Sequence, residues 1–108
     1  MDAKDIVAPV YSQIALDIAL RITRGEIKEN TKLYGRSVLA SQYGVSPETI
    51  RRAMKLLEDM EVVEIREGRG SLVISKAKAK EYVDKFSEYN DIRAKQQRLK
   101  ELMKEQEK

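Results

Sequence analysis

The chain has 108 residues, of which 42% are hydrophobic and 36% charged, and its formal net charge is +3. It contains no cysteine and no histidine, which excludes disulfides, the usual zinc ligands and the commonest catalytic bases and nucleophiles. No apolar run approaches the ~20 residues that span a bilayer, so we expect a cytoplasmic, non-enzymatic protein without a cofactor, metal ion or membrane partner.

The positive charge is concentrated at the C-terminal end. Residues 1–75 contain 11 basic and 11 acidic side chains, whereas residues 76–108 contain 10 and 7. A nucleic-acid site in the first part of the chain must therefore arise from the placement of its basic groups and not from bulk charge.

The first predicted element is a helix that begins after Pro9 and ends before Gly25. Glycine is favoured just beyond a helix end because it readily adopts the left-handed backbone conformation found there. Its apolar residues recur every four positions, as on one helix face: Val10, Ile14, Ile18 and Ile22. The polar connection EIKENTKLYG follows, and it ends in a short extended piece around Leu33.

Two helices joined by a glycine turn are predicted next. RSVLASQYG forms the first, with Leu39, Ala40 and Tyr43 on its inner side, and Gly44 occupies the turn, where a positive φ angle is often required. Ser46 is the predicted N-cap of the second helix, which spans residues 46–60, and proline suits the first helical position after it.

The helix over residues 46–60 has two distinct faces. At about 100° per residue, one face is apolar and comprises Ile50, Ala53, Met54 and Leu57. The opposite face is charged and comprises Glu48, Arg51, Arg52 and Lys55. In a helix–turn–helix, the second helix enters the major groove with its N-terminal residues first, which predicts DNA contacts for this face. The alternative is that the two arginines form ordinary surface ion pairs with Glu48.

A β-hairpin is predicted after this helix. Two β-branched runs, residues 62–66 and 71–75, flank the turn EGRG, which places Arg69 between Gly68 and Gly70. A compact tip with one arginine suits a narrow minor groove, although the same residue could be an ordinary solvated hairpin residue.

Residues 76–108 contain no glycine or proline and predict one long helix. Its apolar residues approach the spacing of a coiled-coil seam and are predicted to mediate dimerisation: Tyr82, Phe86, Tyr89, Ile92, Leu99 and Leu102. The alternative is a helix that folds back onto its own domain. The predicted fold is thus mainly α with a small β wing: a winged helix–turn–helix domain (residues 1–75) and a coiled-coil-like dimerisation arm (residues 76–108).

Residues 9–75 resemble the N-terminal DNA-binding domain of the GntR family of bacterial regulators. The resemblance rests on VYSQIALDIALRITRGEI, LYGRSVLA, YGVSPETIRRAM and the wing sequence VVEIREGRGSLV. It implies that Thr49 contacts phosphate and that Arg51 reads a base, with guanine the favoured partner. Arg52 is the predicted phosphate partner, and Ser46 caps the helix beside a phosphate. The chain has Tyr-Gly-Arg-Ser where the family usually has Pro-Ser-Glu-Arg, which leaves Arg36 as a further candidate DNA contact.

The segment YGRSVLASQYGVSPETIRRA is most similar to the sequences of one branch of that family. Members of this branch carry a helical arm and a TrkA-C-type domain that senses cyclic di-AMP, and they control osmolyte or potassium transport. These 108 residues do not include such a domain, so any small-molecule effector would bind outside this chain. The expected function is a homodimeric repressor that binds an inverted-repeat operator in double-stranded DNA.

A second class of function stays open at this stage. Winged helices also serve as protein-interaction modules without nucleic acid, and several acidic residues follow the basic turn: Glu58, Asp59, Glu61 and Glu64. A DNA-binding protein would lose affinity for random duplex steeply as salt increases, whereas an interaction module would show little binding at any salt concentration.

Overall fold

The computed structural model describes residues 8–86 together with residues 99, 102 and 103. Its elements are α1 (Val10–Thr23), α2 (Arg36–Tyr43), α3 (Pro47–Asp59), β1 (Val63–Arg66) and β2 (Gly70–Val73), followed by a helical segment at residues 76–86. Within this described part, no helix combines the length and the apolar character needed to traverse a bilayer.

Helix α1 supplies one wall of the core. Ile14, Ile18 and Ile22 are buried along one face, as their spacing predicts, and Gly25 adopts a φ of 80° just beyond the helix end. Val10 lies in the helix on the same stripe, but this residue is 53% exposed. Val10 is the first residue of the helix, and the buried residues of α1 begin one turn later.

The turn between α2 and α3 forms as predicted. Gly44 follows α2 with φ 67° and ψ 38°, a left-handed conformation in which a Cβ atom would be strained. Ser46 then caps α3, since its Oγ accepts a hydrogen bond of 3.2 Å from the backbone N–H of Thr49. Four apolar residues of α3 are buried, as the helical wheel predicts: Ile50, Ala53, Met54 and Leu57.

The wing is a two-stranded antiparallel hairpin whose register pairs Val63 with Val73 and Arg66 with Gly70. Both strands are shorter than the predicted runs. Glu61 has a φ of 62° where the chain leaves α3, and the strand starts two residues later. Val62 still accepts a hydrogen bond of 3.0 Å from the N–H of Ile74 beyond the strand ends.

The extended piece around Leu33 packs along the outer edge of β2. The N–H of Leu33 donates to the carbonyl of Ser71 at 2.8 Å, and the N–H of Val73 donates to the carbonyl of Thr31 at 3.0 Å. Residues 30–33 therefore cover the edge of β2 that faces away from β1, which leaves fewer backbone groups unpaired there.

Ser75 precedes the helical segment 76–86 and caps it, because its Oγ accepts a hydrogen bond of 3.0 Å from the N–H of Lys78. Ala79 and Tyr82 are buried in the core of the domain, and Phe86 packs against the same cluster. The fold-back alternative thus describes these first turns, because Tyr82 and Phe86 lie against their own domain.

The dimerisation prediction for the rest of the arm is not tested by these contacts. Tyr89 and Ile92 lie outside the described residues, as does most of the predicted long helix. Leu99 and Leu102 are helical and exposed, at 61% and 52%. The division of the chain at residue 75 likewise stays a prediction.

A half-buried polar network joins α2 to α1. The hydroxyl of Tyr43 donates to Asp17 Oδ2 at 2.6 Å, and Arg21 Nε donates to the same oxygen at 3.0 Å. The pKa of Tyr43 is raised above its usual value because burial disfavours the phenolate, and because the bond to Asp17 retains the proton.

Replacing the tyrosine of this network should destabilise the domain. We expect Tyr43→Phe to lower the free energy of unfolding by about 1.5 kcal/mol, because it removes one hydrogen bond to a charged acceptor. Urea denaturation followed by circular dichroism measures the change. Tyr34→Phe is the matched control. Because Tyr34 is 67% exposed, this variant should have the same free energy of unfolding as the wild type. Equal losses in both variants would contradict a stabilising role for the network.

The raised pKa of Tyr43 also predicts a pH dependence. A tyrosine whose pKa is higher in the folded state than in the unfolded chain stabilises the fold fully below the unfolded value of about 10, and this contribution is lost as pH rises beyond it. The stability difference between wild type and Tyr43→Phe should therefore be constant between pH 7 and about 9 and then decline above about pH 10. Denaturation series at these pH values test this expectation, and a difference that grows with alkalinity would refute it.

Candidate nucleic-acid interface

A cleft of about 580 Å³ lies between the helix–turn–helix and the wing. The start of α2, the outward side of α3 and the hairpin each contribute to its walls, and Arg36, Arg51 and Arg66 are its basic residues. The core holds α3 by its apolar face, so the charged face of this helix is directed outward. Of the predicted major-groove side chains on α3, Arg51 thus borders the same concave surface as the wing.

Arg51, which lines this cleft, forms a bidentate ion pair with the exposed Glu48. Arg51 Nη2 donates to Glu48 Oε1 at 2.6 Å, and Arg51 Nε donates to Oε2 at 2.9 Å. These hydrogen bonds, reinforced by the charges of Arg51 and Arg52, lower the pKa of Glu48 to about 2. The carboxylate is therefore ionised at neutral pH, and any ligand of Arg51 must compete with it.

Arg52 and Lys55 occupy the other flank of α3. They border a shallow hollow with Tyr11 to which no hairpin residue contributes, and Arg51 lines this hollow as well as the cleft. Arg52 lies 3.5 Å from Glu48, and Lys55 lies 3.1 Å from Asp59. The surface ion pairs considered as an alternative are thus present in the structure, and they leave the basic groups exposed.

The wing tip presents Arg69 between two glycines in left-handed conformations. Gly68 has a φ of 74° and Gly70 a φ of 82°. A Cβ atom on Gly70 would lie 3.2 Å from Lys32 Cε, so a larger residue there would combine backbone strain with crowding. The Arg69 backbone N–H donates to the carbonyl of Arg66 at 2.9 Å, which closes the turn, and the Arg69 side chain is exposed.

Three further predicted contacts lie around the start of the two helices. Arg36 is exposed at the first position of α2, beside the exposed Tyr34. Ser46 uses its hydroxyl as a cap, and Thr49 Oγ1 lies 3.0 Å from that oxygen. Arg36 therefore borders the cleft near Arg51, whereas Ser46 and Thr49 lie at the beginning of α3.

One contact in this region was not anticipated from the sequence. Glu58 Oε2 accepts a hydrogen bond of 3.0 Å from the backbone N–H of Ile65 and so connects α3 to the wing. The available signal was an acidic residue in the last turn of a helix, where the helix dipole disfavours negative charge. The sequence indicated Glu58 only as one of several acidic residues that follow the basic turn.

The sequence model of bacterial regulatory proteins of the gntR family matches residues 10–73. Among curated proteins, the mannosyl-D-glycerate transport/metabolism system repressor MngR of Escherichia coli (strain K12) is 38% identical over 65 residues, which are 60% of this chain. The HTH-type transcriptional regulator YhcF of Bacillus subtilis (strain 168) is 36% identical over 80 residues, or 74% of this chain. The aligned regions span 27% of MngR and 64% of YhcF, so this chain corresponds to only part of either protein.

A solved structure supports the same relationship. The structure of S. agalactiae BusR in complex with its busAB-promotor DNA superposes with a TM-score of 0.70 and 32% sequence identity, covering 89% of this chain and 52% of BusR. These relatives are regulators and not enzymes, in agreement with the expectation of a non-enzymatic protein. Because the family model covers more than half of the residues, the chain belongs to the gntR family of bacterial regulatory proteins, of which it contains the winged helix–turn–helix domain.

Proposed function

We propose that this domain binds double-stranded DNA in a sequence-specific manner and that the protein is a transcriptional repressor acting in the bacterial cytoplasm. The observation that carries the proposal is the cleft in which the exposed Arg51 of α3 lies opposite the wing. In this arrangement α3 enters the major groove, and the hairpin directs Arg69 toward the adjacent minor groove. The similarity to BusR, whose structure contains its promoter DNA, supports double-stranded DNA as the ligand.

The two adjacent arginines have different roles in this proposal. Arg51 lies in the cleft between α3 and the wing, where a base edge would be reached, and forms a bidentate pair with guanine. Arg52 lies on the flank with Lys55, where the sugar–phosphate backbone would pass, and contacts phosphate. Thr49, Arg36 and the capped start of α3 add further phosphate contacts.

The protein acts as a homodimer on an inverted repeat in this proposal. Tyr82 and Phe86 pack within their own domain, so the contacts between subunits are assigned to the later part of the arm. The exposed Leu99 and Leu102 support this assignment, because apolar side chains on one helix would be covered by a second arm.

The proposed targets are genes for osmolyte or potassium transport, repressed by occlusion of a promoter. This follows from the resemblance to the branch with a cyclic di-AMP-sensing domain, and the domain itself would lie outside these 108 residues. The relative MngR, which is named as the repressor of a transport and metabolism system, supports a repressor role.

Selection of bound duplexes from a random pool tests the proposal most directly. An enriched motif with two inverted half-sites would support sequence-specific binding by a dimer. If no duplex is enriched and binding to random DNA is weak even at low salt, the domain is a protein-interaction module instead.

Substitution of the adjacent arginines separates their roles. Arg51→Ala should lower the preference for the favoured base at one position in each half-site by about tenfold, because it removes the bidentate pair. Arg52→Ala should weaken binding to all DNA sequences alike, and it should reduce the slope of log affinity against log salt concentration by about 1. Binding titrations on matched and single-base-changed duplexes at several salt concentrations measure both effects. Identical sequence profiles and salt slopes in the two variants would contradict the division.

Removal of the Glu48 carboxylate should increase non-specific binding. Glu48→Gln abolishes the ion pair with Arg51 and the repulsion of phosphates, so affinity for random duplex should rise severalfold at low salt. Glu61→Gln is the matched control, because it removes the same charge from an exposed residue that pairs with Lys78 instead. Equal increases in both variants would show that net charge, and not the Glu48–Arg51 pair, limits binding.

A further inference from the structure

Glu58 forms a direct side-chain link between the last turn of α3 and the hairpin. Its Oε2 accepts a hydrogen bond of 3.0 Å from the backbone N–H of Ile65, in the middle of β1. The same side chain lies 3.5 Å from Lys55 Nζ, whereas Asp59 approaches that ammonium group more closely, at 3.1 Å. The hydrogen bond to β1 is therefore the feature that distinguishes Glu58 from its acidic neighbour.

The position of Glu58 is unfavourable for the helix itself. A carboxylate in the last turn meets the negative end of the helix dipole, and α3 has no basic residue in that turn. The bond to Ile65 offsets this disadvantage, because a hydrogen bond to an ionised acceptor is stronger than one between neutral groups.

The N–H of Ile65 lies on the edge of β1 that faces away from β2. Val62 accepts a hydrogen bond from Ile74 on the β2 side, and backbone groups alternate between the two sides of an antiparallel strand. Ile65 lies three positions after Val62, an odd step along the strand, so its N–H points to the opposite side, toward α3. Glu58 therefore satisfies an edge donor that the hairpin itself leaves unpaired.

We propose that Glu58 is a positioning residue that sets the placement of the wing relative to the recognition helix. Ile65 is followed directly by Arg66, whose carbonyl accepts the Arg69 N–H at 2.9 Å and closes the tip. The carboxylate thus holds the strand that leads into the tip, and with it the exposed Arg69, at a set position relative to α3. The effect of this placement on DNA affinity rests on the function proposed above.

The first test uses the DNA-free protein. Glu58→Ala should increase the hydrogen-exchange rate of the Ile65 amide by about tenfold, because its acceptor is lost. Glu58→Gln should restore most of the protection, because the amide oxygen of glutamine can accept the same bond. Asp59→Ala is the matched control: it removes one charge from the same turn and the closer partner of Lys55, but leaves the Ile65 bond intact. The rates are measured by nuclear magnetic resonance.

The second test is a double-mutant cycle with the wing tip, using duplexes recovered from the random pool. Glu58→Ala should lower the affinity by about threefold to tenfold in the wild-type background. In an Arg69→Ala background the same change should alter the affinity by less than about twofold, because the contact through which it acts is already missing. Glu58→Gln should retain affinity near that of the wild type, and Asp59→Ala should not reduce it.

The outcomes separate this inference from the proposed function. An unchanged Ile65 exchange rate in Glu58→Ala, or an equal loss of affinity in both Arg69 backgrounds, would overturn the positioning role while DNA binding stands. If Arg69→Ala binds like the wild type but Arg51→Ala does not, the wing contact and the role of Glu58 in binding both fail, and the major-groove contact survives. If neither the wild type nor any variant binds duplex DNA, the proposed function is overturned, and the proposed effect of Glu58 on affinity fails with it.

Discussion

The orientation of α3 about its own axis is the constraint on which the rest of the structure depends. Ile50, Ala53, Met54 and Leu57 can be buried together at only one rotation of the helix, and that rotation directs Glu48, Arg51, Arg52 and Lys55 outward. The left-handed Gly44 and the capping Ser46 determine where the helix starts. Hydrophobic burial and local backbone geometry together define the surface that is available to a ligand.

The positive charges on the outward surface of α3 are largely offset by neighbouring carboxylates. The outward cations of α3 are Arg51, Arg52 and Lys55, and each lies within ion-pair distance of a carboxylate. Long-range attraction to a polyanion is correspondingly weak, since paired opposite charges largely cancel beyond a Debye length of about 8 Å. An anion that binds this surface must displace a carboxylate from its cation, so binding would depend on short-range exchange of ion-pair partners more than on long-range attraction.

Much of the fold was predictable because its signals are local. The glycine turn, the serine cap, the apolar face of α3 and the hairpin turn each depend on a few neighbouring residues, and all four form as expected. Contacts between distant segments were less accessible to sequence reasoning. The pairing of residues 30–33 with β2, the bond from Tyr43 to Asp17 and the bond from Glu58 to Ile65 join positions whose proximity no periodic pattern indicates. The seam-like spacing of Tyr82 and Phe86 was compatible with either a second chain or the domain's own core, and periodicity alone does not distinguish these partners.

The packing of the segment 76–86 has a mechanical consequence. Ala79 and Tyr82 are embedded in the core, and the N–H of Lys76 donates to Glu29 at 3.3 Å, so this helix cannot swivel without exposing apolar surface. The segment 76–86 and the helix–turn–helix therefore move as one rigid unit. Any force transmitted along this segment would reorient α3 as a whole, without a hinge between them.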